Sequence, residues 1–349
     1  METIWLCLIS SMIGMYVVLD GFDLGAGIIH LLVGRNAEER RLVLRSIAPV
    51  WDGNEVWLLA AGGTLYFAFP AVYASGFSGF YLPLMILLWL LILRAISIEF
   101  RNHIRGPIWI HFWDVTFCVS SVLIAVFLGA ALGNVIRGVP LDEKGYFFEP
   151  LWTDFRLGAD TGILDWYTVL VGLAALVTLA LHGALWVTLK TEGPVSERCR
   201  HIARELWWAV AAFWAIVTVA TFAAQPQVLR NLSGSPWGIV FPALSLVGLL
   251  FIHRASSLGQ DRGAFLASSA YILGMLTSAV FGIYPYLLPA RTSLETLSLS
   301  VHNSKAGEYG LKIGLVWWTV GMVLASGYFI FVYRHFRGKV KLDGEQEGY

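Results

Sequence analysis

Charge is scarce in this chain. Asp, Glu, Lys and Arg make up 14% of its 349 residues and hydrophobic side chains 57%, whereas a soluble domain carries about 25% charged residues. So little polar material cannot cover a water-facing surface, which excludes a soluble globular protein and equally a disordered one. Neither sign is in excess: 24 basic against 24 acidic residues leave nothing to neutralise a run of phosphates, so no nucleic-acid partner is expected. Cysteine is limited to Cys7, Cys118 and Cys199, too few and too scattered for a disulfide framework or a CxxC-type metal site. A cationic stretch is missing at the start, where Met1-Glu2-Thr3 precedes an apolar run reaching about Val33. That run therefore reads as a retained membrane helix and not as a secretory signal.

What the chain has in abundance is apolar runs of membrane-spanning length. They lie near residues 4–34, 54–74, 79–99, 109–136, 162–189, 205–225, 237–253, 264–284 and 311–333. None alternates with period two, and all exceed the ~10-residue strands of a barrel. The expectation is an all-α polytopic membrane protein with nine transmembrane helices, a single integral-membrane domain over 1–336 and a polar cytoplasmic tail over 337–349. The second and third spans are expected to form an antiparallel hairpin turning near Gly76. Lys and Arg concentrate in alternate loops: around Arg35–Arg45, Arg101–Arg105, Lys190–Arg204, Arg254–Arg262 and after Arg334. Such residues stay preferentially on the cytoplasmic side, which puts the N-terminus in the periplasm and the C-terminus in the cytoplasm. The segment 142–160, with Asp142, Glu143, Glu149, Asp154 and Asp160, reads as a solvated outer cap.

Ionisable residues inside spans are expensive, about 2.5–3.5 kcal/mol each on insertion scales, and are functional candidates by default. Here they gather in the first third of the chain. Asp20 and Asp23, spaced i and i+3, share a face of the first helix, and Gly21, Gly25 and Gly27 let another helix approach closely. Pro49-Val-Trp-Asp-Gly-Asn-Glu-Val-Trp57 opens the second with Trp51, Asp52, Asn54 and Glu55; the third carries Arg94 and Glu99, followed by Arg101; the fourth has Asp114. Carboxyl groups close together in a low-dielectric interior cannot all ionise, so one is expected to hold a proton it can pass on. Arginine does not exchange its proton, and its part is to hold a neighbouring acid charged and fixed. Against this stands the bland reading, in which the groups pair only to pin helices together. Of the histidines, His30 and His182 lie deep enough to face the bundle; neither has a helical partner for a metal, and for His182 a hydrogen-bonded interior position weighs against single ligation of a haem.

The segments Asp20-Gly-Phe-Asp-Leu-Gly-Ala-Gly27, Ile47-Ala-Pro-Val-Trp-Asp-Gly-Asn-Glu-Val-Trp57, Gly76-Phe-Ser-Gly-Phe-Tyr81, Arg94 with Glu99-Phe-Arg101, Trp113-Asp114 and Tyr284-Pro-Tyr-Leu-Leu-Pro289 closely resemble subunit II of cytochrome bd-type quinol oxidases, cyanide-insensitive members included. The likeness runs from end to end. It implies a heterodimeric terminal oxidase of the bacterial inner membrane that oxidises quinol, reduces dioxygen to water and draws protons from the cytoplasm. It also implies a fold of two four-helix bundles plus one peripheral helix. In that family subunit I carries two haems b and haem d, while subunit II binds no haem; some relatives hold a structural quinone in subunit II, and a small single-helix accessory subunit is a further partner the family admits. The aspartate of the family's Trp-Asp-Gly-Asn motif falls on Asp52, its first-helix acids on Asp20 and Asp23, its third-helix arginine on Arg94 and its Trp-Asp step on Asp114. Some relatives have Gln at the position of Glu55. The expected proton path is Asp52, Asp23, Asp20 and Glu55, supported by Arg94, Glu99, Asp114, Trp51 and Asn54. The alternatives are a proton-coupled secondary transporter, which should show a broken-helix site in both halves, and a purely structural scaffold subunit.

Overall fold

The computed structural model describes residues 1–158 and 161–340. Among them, eight helices are long and apolar enough to cross a membrane. These are α1 (Glu2–Val33), α5 (Tyr81–Phe100), α6 (Pro107–Arg137), α7 (Trp166–Lys190), α8 (Gly193–Ala224), α10 (Val240–Ser257, extended by a 3-10 turn from Pro236), α11 (Asp261–Ile283) and α13 (Glu308–His335). Shorter helices α2 (Ala37–Ile47), α3 (Trp51–Ala68), α4 (Pro70–Gly79), α9 (Gln227–Gly234) and α12 (Leu294–Leu297) join them. The all-α expectation is departed from only by a small antiparallel pair, β1 (Tyr286–Leu288) with β2 (Leu299–Ser300).

The second expected span differs most. It begins at Trp51 and stops at Ala68, because Pro70 has no N–H to continue the ladder and instead starts a new helix as its first residue. Gly76 lies inside α4, so the connector is a ten-residue helix and not a tight turn at that glycine. The antiparallel course survives, since Glu55 near the start of α3 meets Arg94 near the end of α5. α8 starts twelve residues before the expected 205. Arg198, Arg200 and Arg204 accordingly ride on its first turns; Arg198 bonds Val33 and Glu39, and Arg200 pairs with Asp261. α7 starts at Trp166 and not at 162, fixed by a capping box in which the Asp165 carboxylate accepts from Tyr167 and Thr168.

Packing follows from glycine. α1, α3, α5 and α6 lie against one another, as do α7, α8, α10 and α11, and the two groups meet where α1 and α6 cross α7. At the α1–α7 crossing a Cβ on Gly25 would stand 2.0 Å from the Leu179 carbonyl, and one on Gly183 would stand 2.2 Å from the Gly25 backbone. Only hydrogen side chains allow the two backbones this close. Phe22 stacks on Trp186 at 3.9 Å beside the crossing, and His182 stacks on Phe265. α13 lies on the outside with 6% of its most apolar stretch buried, touching α3 through Trp57 and Phe329.

Gly183→Ala is expected to prevent this approach, at a cost above the 1–3 kcal/mol of ordinary overpacking because the obstruction is backbone. The measurement is thermal inactivation of the purified protein. Gly76→Ala, where a Cβ meets nothing within 4 Å, should leave it unchanged.

Candidate functional site

Three charged networks are built into the helices. The first surrounds Arg94, fully buried two turns before the end of α5. Its guanidinium Nη2 donates to Asp20 at 2.7 Å and to Glu55 at 3.1 Å. Asp23, one turn beyond Asp20, accepts from Asn54 Nδ2 at 2.7 Å; Asn54 also donates to the Leu19 carbonyl and accepts from the Tyr333 hydroxyl of α13 at 2.9 Å. Asp20, Asp23 and Asn54 are buried, whereas the Glu55 side chain is 22% exposed. Asp52 stands on the surface at the first turn of α3, within electrostatic reach of Glu55. Sequence spacing put Asp52 and Glu55 on one face; the structure turns only Glu55 inward. Trp51 is buried in the core beside them. Glu99 is half-buried and its carboxyl joins none of these bonds.

The Arg94 network is not saturated. Tyr16 Oη, Asp20 Oδ2, Asp23 Oδ1, and Arg94 Nε and Nη1 are buried without a protein partner. Tyr16, one turn before Asp20, also lines a cavity of about 470 Å³ between α1, α6, α7, α8 and α11, whose walls are overwhelmingly apolar. Neither Tyr16 nor Tyr333 was marked by the sequence. The i, i+4 spacing of Tyr16 and Asp20 is the one signal that could have found Tyr16; Tyr333 is 279 residues from Asn54 and had none.

The second network is a lock at Asp114, which is fully buried. It accepts from Arg101 Nε at 2.6 Å and His30 Nε2 at 2.8 Å, and Arg40 Nη1 approaches at 3.3 Å. One carboxylate thus ties α1, α2 and α6 to the end of α5. The third sits at the opposite end of the bundle. Arg137 closes α6 and is held by Asp165, Glu149 at 2.8 Å and Asn134 at 2.6 Å. The outer segment is therefore more than a solvated cap: Glu149 is 3% exposed, while Asp142 and Asp154 are at the surface and Asp160 lies outside the described residues. His182 is a hydrogen-bonded interior residue, with Nδ1 on Ser268 and Nε2 on the Val18 carbonyl. Both ring nitrogens are engaged, so the ring offers no free atom to a haem iron. Among the described residues no group of three His, Cys, Asp or Glu side chains is placed to hold a metal.

This arrangement defines a class: a polytopic membrane subunit that keeps surplus carboxyl groups around one buried arginine. The chain belongs to the cytochrome bd terminal oxidase subunit II family, whose model matches residues 1–336. It is 30% identical to a probable cytochrome oxidase subunit 2 of Haemophilus influenzae, over 96% of this chain and 94% of that one. It is 28% identical to the cytochrome bd-I ubiquinol oxidase subunit 2 of Escherichia coli K12, over 92% and 89%. Among solved structures, the bd oxidase of Geobacillus thermodenitrificans shares the fold, with a TM-score of 0.75 over 96% of this chain and 98% of that one at 18% identity. The chain is thus one subunit of a terminal quinol oxidase complex of the respiratory chain, a complex that carries haem and includes a subunit I. Family membership displaces the secondary-transporter alternative.

Two predictions follow from the locks. Asp114→Ala leaves the buried Arg101 and the half-buried Arg40 without their anion, and a loss of about 3–5 kcal/mol is expected, read as a lower inactivation temperature with Asp23→Asn as comparison. In the loop between α6 and α7, burial pushes the Glu149 carboxyl from 4.5 up to about 7 against the pull of Arg137 and Arg291. A raised folded value means that its contribution to stability is complete below pH 4.5 and is lost as pH rises through 7. Amide exchange around residues 147–158, corrected for intrinsic rate, should quicken across that interval. Glu149→Gln should flatten the dependence, and an unaltered profile would acquit Glu149.

Proposed function

We propose that this chain is the proton-handling subunit of a quinol:dioxygen oxidoreductase, with two haems b and haem d carried by subunit I. Nine crossings, with α3 as the ninth and least apolar, make two four-helix bundles with α13 peripheral, the N-terminus periplasmic and the C-terminus cytoplasmic. The preference of Lys and Arg for the end where α2, α8 and α13 expose theirs supports that orientation. The relatives in Escherichia coli and Haemophilus influenzae support a bacterial inner membrane as its location.

One observation carries the reading: a string of carboxyl groups runs from the surface inward, Asp52 to Glu55 to Asp20 and Asp23, around a cation that matches only one of them. Arginine stays charged, so it holds one neighbour as carboxylate, while the surplus acids are places where a proton resides. The unpartnered atoms of Tyr16, Asp20, Asp23 and Arg94 call for bridging water, since buried polar groups are rarely left unpaired. Such water supplies the links that carboxyl-to-carboxyl distance would otherwise break. Arg94 positions Asp20 and Glu55; Asn54 and Tyr333 orient Asp23; Asp114 with its arginines fixes the helices and takes no part in transfer.

Haem chemistry, electron transfer to dioxygen, belongs to the partner in this reading. The engaged ring of His182 supports that division. The 470 Å³ cavity suits a structural quinone, its apolar walls matching an isoprenoid tail.

Asp52→Asn and Asp23→Asn are each expected to assemble with full haem content, seen in the reduced-minus-oxidised spectrum, and to lose most oxygen consumption. Normal turnover in both would take the carboxyl string out of the mechanism. Loss of haem instead would mean these acids serve assembly, as the scaffold reading requires.

A further inference from the structure

A groove of about 560 Å³ opens at the basic end of the bundle, where α7 and α13 end and α11 begins. Its floor is apolar: Trp186, Leu189, Phe265, Leu266 and Tyr333. Its rim carries four cations, Lys190, Arg262, Arg334 and Arg337, and no acid among the described residues. The acids beside Arg262 and Lys190 in sequence are engaged elsewhere, Asp261 by Arg200 and Glu192 by Lys339. Lys190 is 7% exposed, donates to the Phe336 carbonyl and lies over the Trp186 ring at 5.5 Å. Arg262, Arg334 and Arg337 are exposed and pair with no acid among the described residues.

Four like charges around one opening repel one another unless an anion joins them. Arginine forks match phosphate oxygens in pairs. A soluble anion would use the rim alone, however, and leave the aromatic floor without purpose. Leu266, which lines the groove, is 66% exposed on the flank of a membrane-spanning helix, so the apolar wall runs on to where acyl chains lie. Cations above and hydrocarbon below, at a helix end, is the layout of a phospholipid at a membrane interface.

The geometry points to a binding site for one anionic phospholipid, its phosphate held by Arg262, Arg334, Arg337 and Lys190 and its acyl chain laid along Phe265 and Leu266. Tyr333 on the groove floor also donates to Asn54 beside the carboxyl string, but none of the four cations belongs to that string, so phospholipid binding by them stands or falls independently of the proton reading. Residues 341–349, which include Asp343, Glu345 and Glu347, are the competing occupant.

The test is native mass spectrometry of the purified, delipidated oxidase complex titrated with phosphatidylglycerol, with phosphatidylethanolamine and inorganic phosphate as the other arms. The expected result is a saturable phosphatidylglycerol adduct that phosphatidylethanolamine does not match and inorganic phosphate does not displace. With each interfacial cation contributing about five-fold in affinity, the triple variant R262Q/R334Q/R337Q should bind about a hundredfold more weakly, its haem spectrum unchanged. Binding by the triple variant equal to that of the parent would overturn the site, as would displacement by phosphate or equal uptake of phosphatidylethanolamine. A saturable adduct that forms only after residues 341–349 are removed would give the groove to the tail instead.

Discussion

A guanidinium that cannot lose its proton, placed away from bulk solvent, is the constraint on which the first bundle depends. Arg94 is completely buried, and an unpaired cation there would cost several kcal/mol even after relaxation. The helices are consequently arranged to bring it anions: Asp20 from α1 and Glu55 from α3. Asp23 follows on the same face of α1 and fastens α3 through Asn54, and α13 through Tyr333. Remove the cation and three carboxyl groups lose the reason they face one another; remove the glycines of α1 and α7 and the bundles no longer close around them.

The ratio of acids to cations is what distinguishes the Arg94 network, for which a proton-handling role is proposed, from a simple lock. Around Asp114 there are two arginines and a histidine for one carboxylate, so its oxygens are fully taken and a proton gains nothing by binding. Around Arg94 there are three acids for one cation, with oxygens left over on Asp20 and Asp23. A site that accepts and releases protons needs that surplus. The Arg137 network also has two acids, Asp165 and Glu149, for one close cation. It sits at the other end of the bundle, where it clasps the loop before α7 to α6, and among the described residues no hydrogen bond or ion pair joins it to the string around Arg94.

Much of this was legible from residues alone, because the membrane makes each departure from apolarity conspicuous. Asp20, Asp23, Asn54, Glu55 and Arg94 stood out as polar residues in greasy runs, and the i, i+3 spacing of Asp20 and Asp23 fixed a shared face. Helix ends were less legible: apolarity marks where lipid begins, not where hydrogen bonding stops, so the extra turns of α8 with Arg198 and Arg200 went unseen. The break at Phe69–Pro70 was written in the proline, yet the apolar residues after it disguised a change of helix. The burial of Glu149 was not readable at all. It depends on Arg137 and Asp165, which frame the loop from both sides and are brought together only by the packing of α6 against α7.

Exposure within the string gives it a direction. Asp20 and Asp23 have no contact with solvent, whereas Glu55 retains some and neighbours Val56 and Leu59, which are 52% and 73% exposed. Two large apolar residues so bare in a multi-helix membrane protein mark a face covered by lipid or by another chain, and in an oxidase complex a second chain must be covered somewhere. Glu55 is therefore the member of the network at the boundary between the sealed interior and whatever meets α3. Under the proposed proton-handling role, Asp52, one turn earlier and exposed, is the collecting end, and the buried Asp20 and Asp23 are the holding end. In that proposal a proton moving between the two sets passes Glu55 or water beside it, and a glutamine there would keep a polar contact to Arg94 while leaving the transfer to the water alone.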